Sequence, residues 1–295
     1  MNATIGFTPQ VRDWIVQHVD RGVPPGALAR SLAEQGFESH AAAAVVDTLW
    51  AARAMGAALP EDSIAPEQLT RARYRPDPPR LASGSAITAA GRRIRVALRI
   101  ERPFVAVLDE VLSAGECDEL VAAAQPRLQP STIVDPESGA DVASKARSSE
   151  GMFFRPHETP LVQRIDLRLS ELMGLPLAHG EGLQVLRYTP GAQSVPHFDF
   201  LMPTHAANAA SIARSGQRVS TLVMYLNDPA EGGETVFPEV GLSVTPRKGS
   251  ALYFEYCNGA GQLDPLSLHA ALPVLQGEKW VATRWMRQRP FRPAA

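Results

Sequence analysis

Residues 183–200 read LQVLRYTPGAQSVPHFDF, two short strand-like segments around a turn. The first segment, Leu183–Tyr188, is rich in residues that favour strands, and Pro and Gly then signal a turn. The second is expected to form a strand over residues 197–200. Alternate side chains of a strand point to the same face, so His197 and Asp199 are expected about 6.6 Å apart on one face. A carboxylate and an imidazole placed in this way can share a metal ion.

A third ligand is needed, because a His-x-Asp tripeptide often arises by chance. His269, 70 positions after Asp199, supplies a candidate. Two histidines and one carboxylate on one face of an iron ion leave three positions open, which is the arrangement used by non-haem Fe(II) oxygenases. A bidentate 2-oxo acid and dioxygen can fill the open positions.

The far carboxylate of such an acid needs a cation, for which Lys279 and Arg284 compete. A strand is expected over residues 279–286, and alternation places the two side chains on opposite faces. The residues that share the face of Lys279 are Val281, Thr283 and Trp285. The pattern therefore favours Lys279 as the cation of the pocket.

The chain beyond Phe104 has short apolar stretches separated by turn signals, which indicates an antiparallel β domain. Helices are expected at Ala114–Ala124 and at residues 160–173. Further strand candidates are residues 220–226, 243–246 and 250–254. The expected fold class is α+β, with a mainly β catalytic domain over residues 103–295 that forms a sandwich or jelly roll.

Residues 1–60 are expected to form a small N-terminal three-helix domain. Pro24 and Pro25 can open its second helix, and Ser39 can cap its third. The apolar residues expected on the inner faces are Val11, Ile15, Val19, Leu28, Leu32, Val45, Val46, Leu49 and Trp50. No iron or co-substrate candidate lies here, so the helices are expected either to hold a macromolecular partner or to cap the catalytic domain.

Residues 61–102 are rich in Pro and Arg and are expected to form a linker or an arm. From Arg71 to Arg102 there are nine arginines against Asp77 and Glu101, a local excess of seven positive charges. A solvated linker and a tether for an acidic partner both fit this composition.

The composition of the whole chain excludes several classes of protein. A formal net charge of -2 gives no reason to expect nucleic acid or an anionic membrane as a partner. Residues 1–60 carry four basic side chains against five acidic ones, which disfavours DNA binding by the helices. No apolar run reaches the ~20 residues of a spanning helix, and no secretory pattern opens the chain. Cys117 and Cys257 are expected to be reduced thiols, as in a cytoplasmic enzyme.

Five ordered blocks of the sequence resemble the prolyl 4-hydroxylase family of Fe(II)- and 2-oxoglutarate-dependent dioxygenases. The blocks are residues 186–188, 196–200, 221–228, 231–238 and 267–285, within a similarity that runs from about Arg102 to Arg292. The resemblance implies a double-stranded β-helix, or jelly roll, with flanking helices. It implies that the iron ligands are His197, Asp199 and His269. It also implies that Lys279, Thr221 and Tyr188 hold 2-oxoglutarate, and Trp285 continues the last block on the face of Lys279.

The same resemblance implies a substrate groove lined by Arg147, Ser149 and the acidic Glu181. The implied reaction hydroxylates a prolyl residue of a protein or peptide with O2 and 2-oxoglutarate, releases succinate and CO2, and uses L-ascorbate to restore oxidised iron. Members that act on peptides often carry an aromatic residue three positions before the first iron histidine, where this chain has Ser194. Two alternatives therefore stay open: the same chemistry on a free amino acid or small metabolite, and a non-catalytic peptide- or protein-binding module.

Overall fold

The computed structural model describes residues 4–134, 141–143 and 148–294. Its helices are α1 (Pro9–Asp20), α2 (Pro25–Glu34), α3 (Ser39–Met55), α4 (Pro66–Ala72), α5 (Ala114–Ala124), α6 (Pro160–Leu172) and α7 (Ala206–Ser215). Its strands are β1 (Ile5–Gly6), β2 (Ser63–Ile64), β3 (Ala86–Ala89), β4 (Arg92–Ile100), β5 (Phe104–Asp109), β6 (Gln129–Pro130), β7 (Thr132–Val134), β8 (Asp141–Ala143), β9 (Glu150–Phe154), β10 (Leu183–Tyr188), β11 (Ser194–His197), β12 (Arg218–Tyr225), β13 (Glu231–Gly232), β14 (Thr235–Phe237), β15 (Leu242–Val244), β16 (Ala251–Glu255), β17 (His269–Ala271), β18 (Val274–Gln276) and β19 (Lys279–Arg287).

Nine strands form the main sheet, in the order β3-β4-β5-β16-β12-β19-β10-β9-β6. A second sheet of four strands has the order β11-β17-β14-β15. Phe237 of the small sheet meets Phe254 of the main sheet edge-on, with ring centroids 5.3 Å apart, so apolar side chains fill the space between the sheets. This mostly β domain is consistent with the predicted jelly roll.

Strand β19 is the central element of the catalytic domain, because all nine of its residues are buried. It pairs with β12 on one side, where Thr221 is opposite Trp285, and with β10 on the other, where Tyr188 is opposite Lys279. A strand in this position must find partners for its polar side chains inside the protein.

Most predicted elements are present with small shifts at their ends, but two local predictions are wrong. The strand expected over residues 197–200 instead runs from Ser194 to His197, and Asp199 lies in a bend. The physical reason is the partner strand: β17 begins at His269, opposite His197, so the chain beyond has no ladder to continue. Helix α3 is capped by Glu38 and not by Ser39, since the Glu38 carboxylate accepts hydrogen bonds from the N–H groups of His40 and Ala41.

The segment expected to be a linker or arm contributes to the main sheet. Strands β3 and β4 form a hairpin at its edge, with β4 paired to β5, so the sheet begins at Ala86, before the expected boundary at residue 103. The hairpin turns at Ala90 and Gly91, both with positive φ, as a two-residue turn of this kind requires. Arg80, just before the hairpin, pairs with the Glu255 carboxylate of β16 at 2.7 Å.

The N-terminal helices share one continuous apolar core with the sheets. Ile15, Leu32 and Trp50, one from each of the first three helices, belong to the same buried cluster as the strand residues. The three helices are present, and a domain boundary at residue 60 stays a prediction. Both cysteines are buried and unpaired, as expected. Among the described helices, none has the length and apolar character needed to cross a bilayer.

Gly249 is expected to tolerate a side chain poorly. It has a φ of +81°, and an added Cβ would lie 2.5 Å from the carbonyl oxygen of Leu112. Gly91 has a similar φ of +74° but open space around it. We expect Gly249→Ala to lower the free energy of unfolding by about 3 kcal/mol or more, and Gly91→Ala by about 1 kcal/mol from backbone strain alone. Urea unfolding of both variants measures the difference, and equal losses would contradict the predicted close approach.

Candidate metal and co-substrate site

Three side chains with metal-binding atoms meet between the two sheets. They are His197 at the end of β11, Asp199 in the following bend and His269 at the start of β17, and their ligand atoms all lie within 4.8 Å of one another. Nε2 of His197 is 3.7 Å from Oδ1 of Asp199, and Nε2 of His269 is 3.7 Å from Oδ2. Within the described ranges, no other group of His, Cys, Asp and Glu side chains has this geometry.

Backbone carbonyls orient both imidazoles. Nδ1 of His197 lies 2.9 Å from the carbonyl oxygen of Val195, and Nδ1 of His269 lies 3.0 Å from that of Ser267. A carbonyl oxygen only accepts, so Nδ1 must carry the proton and donate it in each pair. The Nε2 lone pair of each neutral ring is then available to a metal ion, which is the usual arrangement around metal-binding histidines.

Asp199 is held as a carboxylate. The hydroxyl of Thr221 donates to its Oδ2 at 2.7 Å. Burial alone would raise the pKa of Asp199, but the positive charges of His269 and His197 when their rings are protonated, the Arg218 guanidinium and the Thr221 hydrogen bond lower it to about 2. A metal ion would take the place of the second proton on each imidazole, so the three side chains can offer two neutral nitrogens and one anionic oxygen, the donor set expected for non-haem iron.

Lys279 is a buried cation without a carboxylate partner. It is 2 % exposed, and among the described residues no Asp or Glu lies within ion-pair distance of its Nζ. The hydroxyl of Thr235 lies 3.4 Å from Nζ, and the ring centroids of Tyr188 and Tyr225 lie 5.6 and 5.7 Å from it. Burial lowers the pKa of Lys279 to about 8, against the opposing charge of Glu234. Such a side chain is suited to receive an anion from outside the protein.

The two faces of β19 have different environments, as the alternation predicted. Lys279, Val281, Thr283 and Trp285 line a small cavity of about 50 Å³ together with the three metal-site residues. Arg284 lies on the opposite face, where it donates to the Asp166 carboxylate of α6 and to the carbonyl oxygen of Glu181. The indole Nε1 of Trp285 is buried and has no acceptor within the described structure, so it is available to a ligand.

Sequence reasoning missed two residues of this site. Thr235 lies within hydrogen-bond distance of Lys279 and accepts a bond from the Tyr225 hydroxyl at 2.9 Å. The sequence could have indicated it, because Thr235 is a polar residue two positions before the apolar Phe237 on a short strand and therefore shares its face. Tyr256 is buried, and its hydroxyl lies 3.0 Å from that of Thr221. Because Thr221 gives its one proton to Asp199, Tyr256 is the donor to Thr221.

The candidate substrate residues lie in different places. Arg147 is outside the described residues. Ser149 is buried, with its hydroxyl 3.0 Å from that of Ser131. Glu181 is 7 % exposed and is occupied by two guanidinium groups, those of Arg218 at 2.7 Å and Arg287 at 3.0 Å. These contacts make Glu181 part of a buried ion-pair network, and a role in substrate binding for the three residues stays a prediction.

A larger cavity lies away from the metal-site residues. It has a volume of about 680 Å³ and is bounded by the C-terminal half of α3, by α4 and by the turn at residues 258–262. None of the described metal or co-substrate candidates lines it. The small cavity between the sheets is therefore the place where the chemistry of this chain is concentrated.

Comparisons with known proteins agree with this geometry. Residues 183–287 match the 2OG-Fe(II) oxygenase superfamily. Prolyl 4-hydroxylase 1 of Arabidopsis thaliana is 43% identical over 202 residues, which span 63% of this chain and 70% of that protein. The chain belongs to the prolyl 4-hydroxylase family. It is thus a 2-oxoglutarate-dependent dioxygenase, and the His-Asp-His cluster fits the Fe(II) that members of this family use.

An animal protein and a solved viral structure are also similar to this chain. Prolyl 4-hydroxylase subunit alpha-1 of Rattus norvegicus is 37% identical over 189 residues, which span 64% of this chain and 35% of that protein. The crystal structure of a viral collagen prolyl hydroxylase from Paramecium Bursaria Chlorella virus-1, a 2OG complex, is 30% identical with a TM-score of 0.49. That likeness covers 62% of this chain and 95% of the viral chain.

Removing the charge of Glu181 is expected to destabilise the fold. Burial raises the pKa of Glu181, but Arg218 and Arg287 outweigh it and lower the pKa below its ordinary value of 4.5. A carboxylate with a lowered pKa stabilises the native state above its unfolded pKa and loses that contribution as the pH falls. Glu181→Gln should therefore lower the free energy of unfolding by about 3 kcal/mol at neutral pH, with the deficit shrinking in acid.

Urea unfolding at neutral and acid pH measures the effect of Glu181→Gln. The exposed Glu231, replaced by Gln, is the matched control and should change little. A neutral-pH stability of Glu181→Gln equal to that of the wild type would show that the two guanidinium groups do not depend on Glu181.

Proposed function

We propose that this member of the prolyl 4-hydroxylase family hydroxylates a prolyl residue in a protein or peptide, consuming O2 and 2-oxoglutarate and releasing succinate and CO2. The observation that carries the proposal is the meeting of His197, Asp199 and His269 beside the buried Lys279, which has no carboxylate partner among the described residues. The prolyl substrate is proposed because the relatives are prolyl 4-hydroxylases. The oxygenase reaction is proposed because of the residues of the site.

The residues of the site fit both Fe(II) and 2-oxoglutarate. Nε2 of His197, Nε2 of His269 and a carboxylate oxygen of Asp199 would hold the metal. Fe(II) bound in this way supplies activation of O2 and oxidation of a substrate C–H bond, coupled to decarboxylation of the 2-oxo acid. The protein keeps the metal ligands in position and holds Asp199 ionised.

Lys279 is proposed to hold the far carboxylate of 2-oxoglutarate. An anion at its Nζ would give the buried ammonium the partner that it lacks among the described residues. Tyr188 and Thr235 flank the same position and can donate hydroxyl hydrogen bonds. Trp285, whose indole N–H has no acceptor within the described structure, is proposed to bind co-substrate or substrate in the same cavity. Thr221 is proposed to act through Asp199, because its proton is already given to that carboxylate.

Two finer parts of the proposal concern turnover and substrate. We expect L-ascorbate to sustain activity by reducing iron that oxidises in unproductive cycles.

Ser194, on β11, lies 3.5 Å from Nδ1 of His197 and leaves less apolar surface there than an aromatic residue would. A free amino acid or small metabolite is therefore the alternative substrate that the experiment must distinguish.

The experiment incubates the Fe(II)-loaded protein with 2-oxoglutarate, ascorbate and either a proline-rich peptide or free proline. We expect the peptide to gain one oxygen atom on proline, detected by mass spectrometry, with one succinate formed per oxygen gained. Asp199→Ala is the control and should lose both products, since two ligands hold Fe(II) weakly. Oxygen gain on free proline alone would favour the alternative, and full turnover by Asp199→Ala would overturn the site.

Lys279→Ala is expected to raise the KM for 2-oxoglutarate by about 30-fold or more, corresponding to about 2 kcal/mol for an unpaired buried carboxylate. The affinity for iron should change little. Lys279 is protonated below its lowered pKa of about 8 and loses its charge above it. The KM of the wild type should therefore rise as the pH increases beyond about 8, whereas that of Lys279→Ala should not follow this curve.

Initial rates of succinate formation over a pH series measure both parts of this prediction. Arg284→Ala is the matched control, because Arg284 lies on the opposite face of β19 and pairs with Asp166. It should lower stability with little change in the KM of the folded enzyme. A larger KM effect from Arg284→Ala than from Lys279→Ala would reverse the assignment.

A further inference from the structure

The metal-binding carboxylate lies on a segment that the sheets do not hold. Strand β11 ends at His197, and residues 198–200 continue as coil and bend without strand partners. The backbone contacts near Asp199 come from side chains: Arg218 donates to its carbonyl oxygen at 3.2 Å, and Gln217 bonds to both backbone groups of Leu201 at 2.7 Å. Packing must therefore fix much of the position of this segment.

An aromatic cluster packs around residues 198–200. The rings of Phe198 and Phe200, on either side of Asp199, stack with centroids 4.5 Å apart. The ring of Tyr256 lies 6.1 Å from that of Phe200, and its hydroxyl donates to Thr221, which in turn donates to Asp199. This cluster connects the backbone of the segment with the carboxylate that it presents.

The outer member of the cluster comes from the N-terminal helices. Trp50 of α3 is 4 % exposed, and its ring lies 6.2 Å from that of Phe198 and 6.0 Å from that of Phe200, edge-on to the latter. These separations are within the range of stabilising aromatic pairs. Trp50 therefore covers both phenylalanines that flank Asp199.

The helices approach the catalytic domain at two further points. Gly56, which caps the end of α3, would place an added Cβ 4.0 Å from Pro203, just after the Asp199 segment. At the start of α2, a Cβ on Gly26 would lie 2.7 Å from Oε2 of Glu239, which follows β14 of the small sheet. Trp50 therefore belongs to a group of helices that lies close to the catalytic domain at more than one place.

We infer that α3 is part of the support of the metal site, with Trp50 as a positioning residue for Asp199. By pressing on Phe198 and Phe200, it holds the unpaired segment where the carboxylate meets both histidines. The inference rests on the proposed metal role of Asp199. It gives the N-terminal helices a role in the chemistry, although they contain none of the metal ligands.

The test measures Co(II) binding to the 295-residue chain under anaerobic conditions, with Co(II) as a spectroscopic substitute for Fe(II). Trp50→Ala should weaken the Co(II) affinity about tenfold, the scale of a lost supporting residue, and should change the visible absorption of the bound ion. Trp50→Phe, which keeps an aromatic ring, should restore most of the affinity. Ile15→Ala is the control, because Ile15 is fully buried in α1 and has no aromatic ring to pack on the two phenylalanines.

Urea unfolding of each metal-free variant separates positioning from stability. The inference predicts that Ile15→Ala loses stability yet binds Co(II) within about twofold of the wild type. It is overturned if Trp50→Ala retains the wild-type affinity and spectrum, or if Ile15→Ala weakens binding as much. Trp50→Leu gives the same comparison if Trp50→Ala does not fold. A wild-type protein that binds no Co(II) would instead refute the metal role of Asp199.

Discussion

Strand β19 buries charged side chains on both of its faces, and much of the molecule is arranged to satisfy them. Arg284 is neutralised by Asp166 of α6, and Arg287 by Glu181. Lys279 alone among these cations has no carboxylate in the described structure. Since a buried charge without a partner is costly, the fold holds a site whose electrostatic complement must come from a bound anion. Stability and co-substrate selection are therefore decided on the same strand.

The sequence predicted those features that depend on local periodicity. The choice of Lys279 over Arg284 needed only the two-residue repeat of a strand, and the structure has both side chains on the expected faces. Asp199 was expected near His197 because both were assigned to one strand, but β11 ends at His197 and Asp199 lies in a bend. Where β11 ends is set by the start of β17, 70 residues later, and no local pattern contains that information. The three candidate metal ligands still meet, because a bend can direct the Asp199 carboxylate toward the two histidines just as a strand can.

Residues that support the site could not be recognised from the sequence, because their apolar side chains are expected to be buried whether or not they have a role in the site. Trp50 was expected on the inner face of its helix, and both Tyr256 and Trp50 are buried in the core. The hydroxyl of Tyr256 and the position of the Trp50 ring acquire their meaning from neighbours that are distant in sequence, Thr221 and Phe198. Such a role depends on long-range packing, which single-sequence periodicity does not encode. The N-terminal helices were expected either to hold a macromolecular partner or to cap the catalytic domain, and α3 packs directly against the segment of Asp199.

The β3-β4 hairpin limits where this chain can be truncated. The family resemblance starts at about Arg102, yet β4 covers one edge of β5, whose sequence FVAVLD is almost entirely apolar. A fragment cut at the start of the resemblance would leave unpaired those N–H and C=O groups of β5 that face β4, along an apolar edge. Edges of this kind recruit further strands, so the shortened protein would associate with copies of itself. The smallest independent unit of this enzyme is therefore larger than its recognisable catalytic sequence.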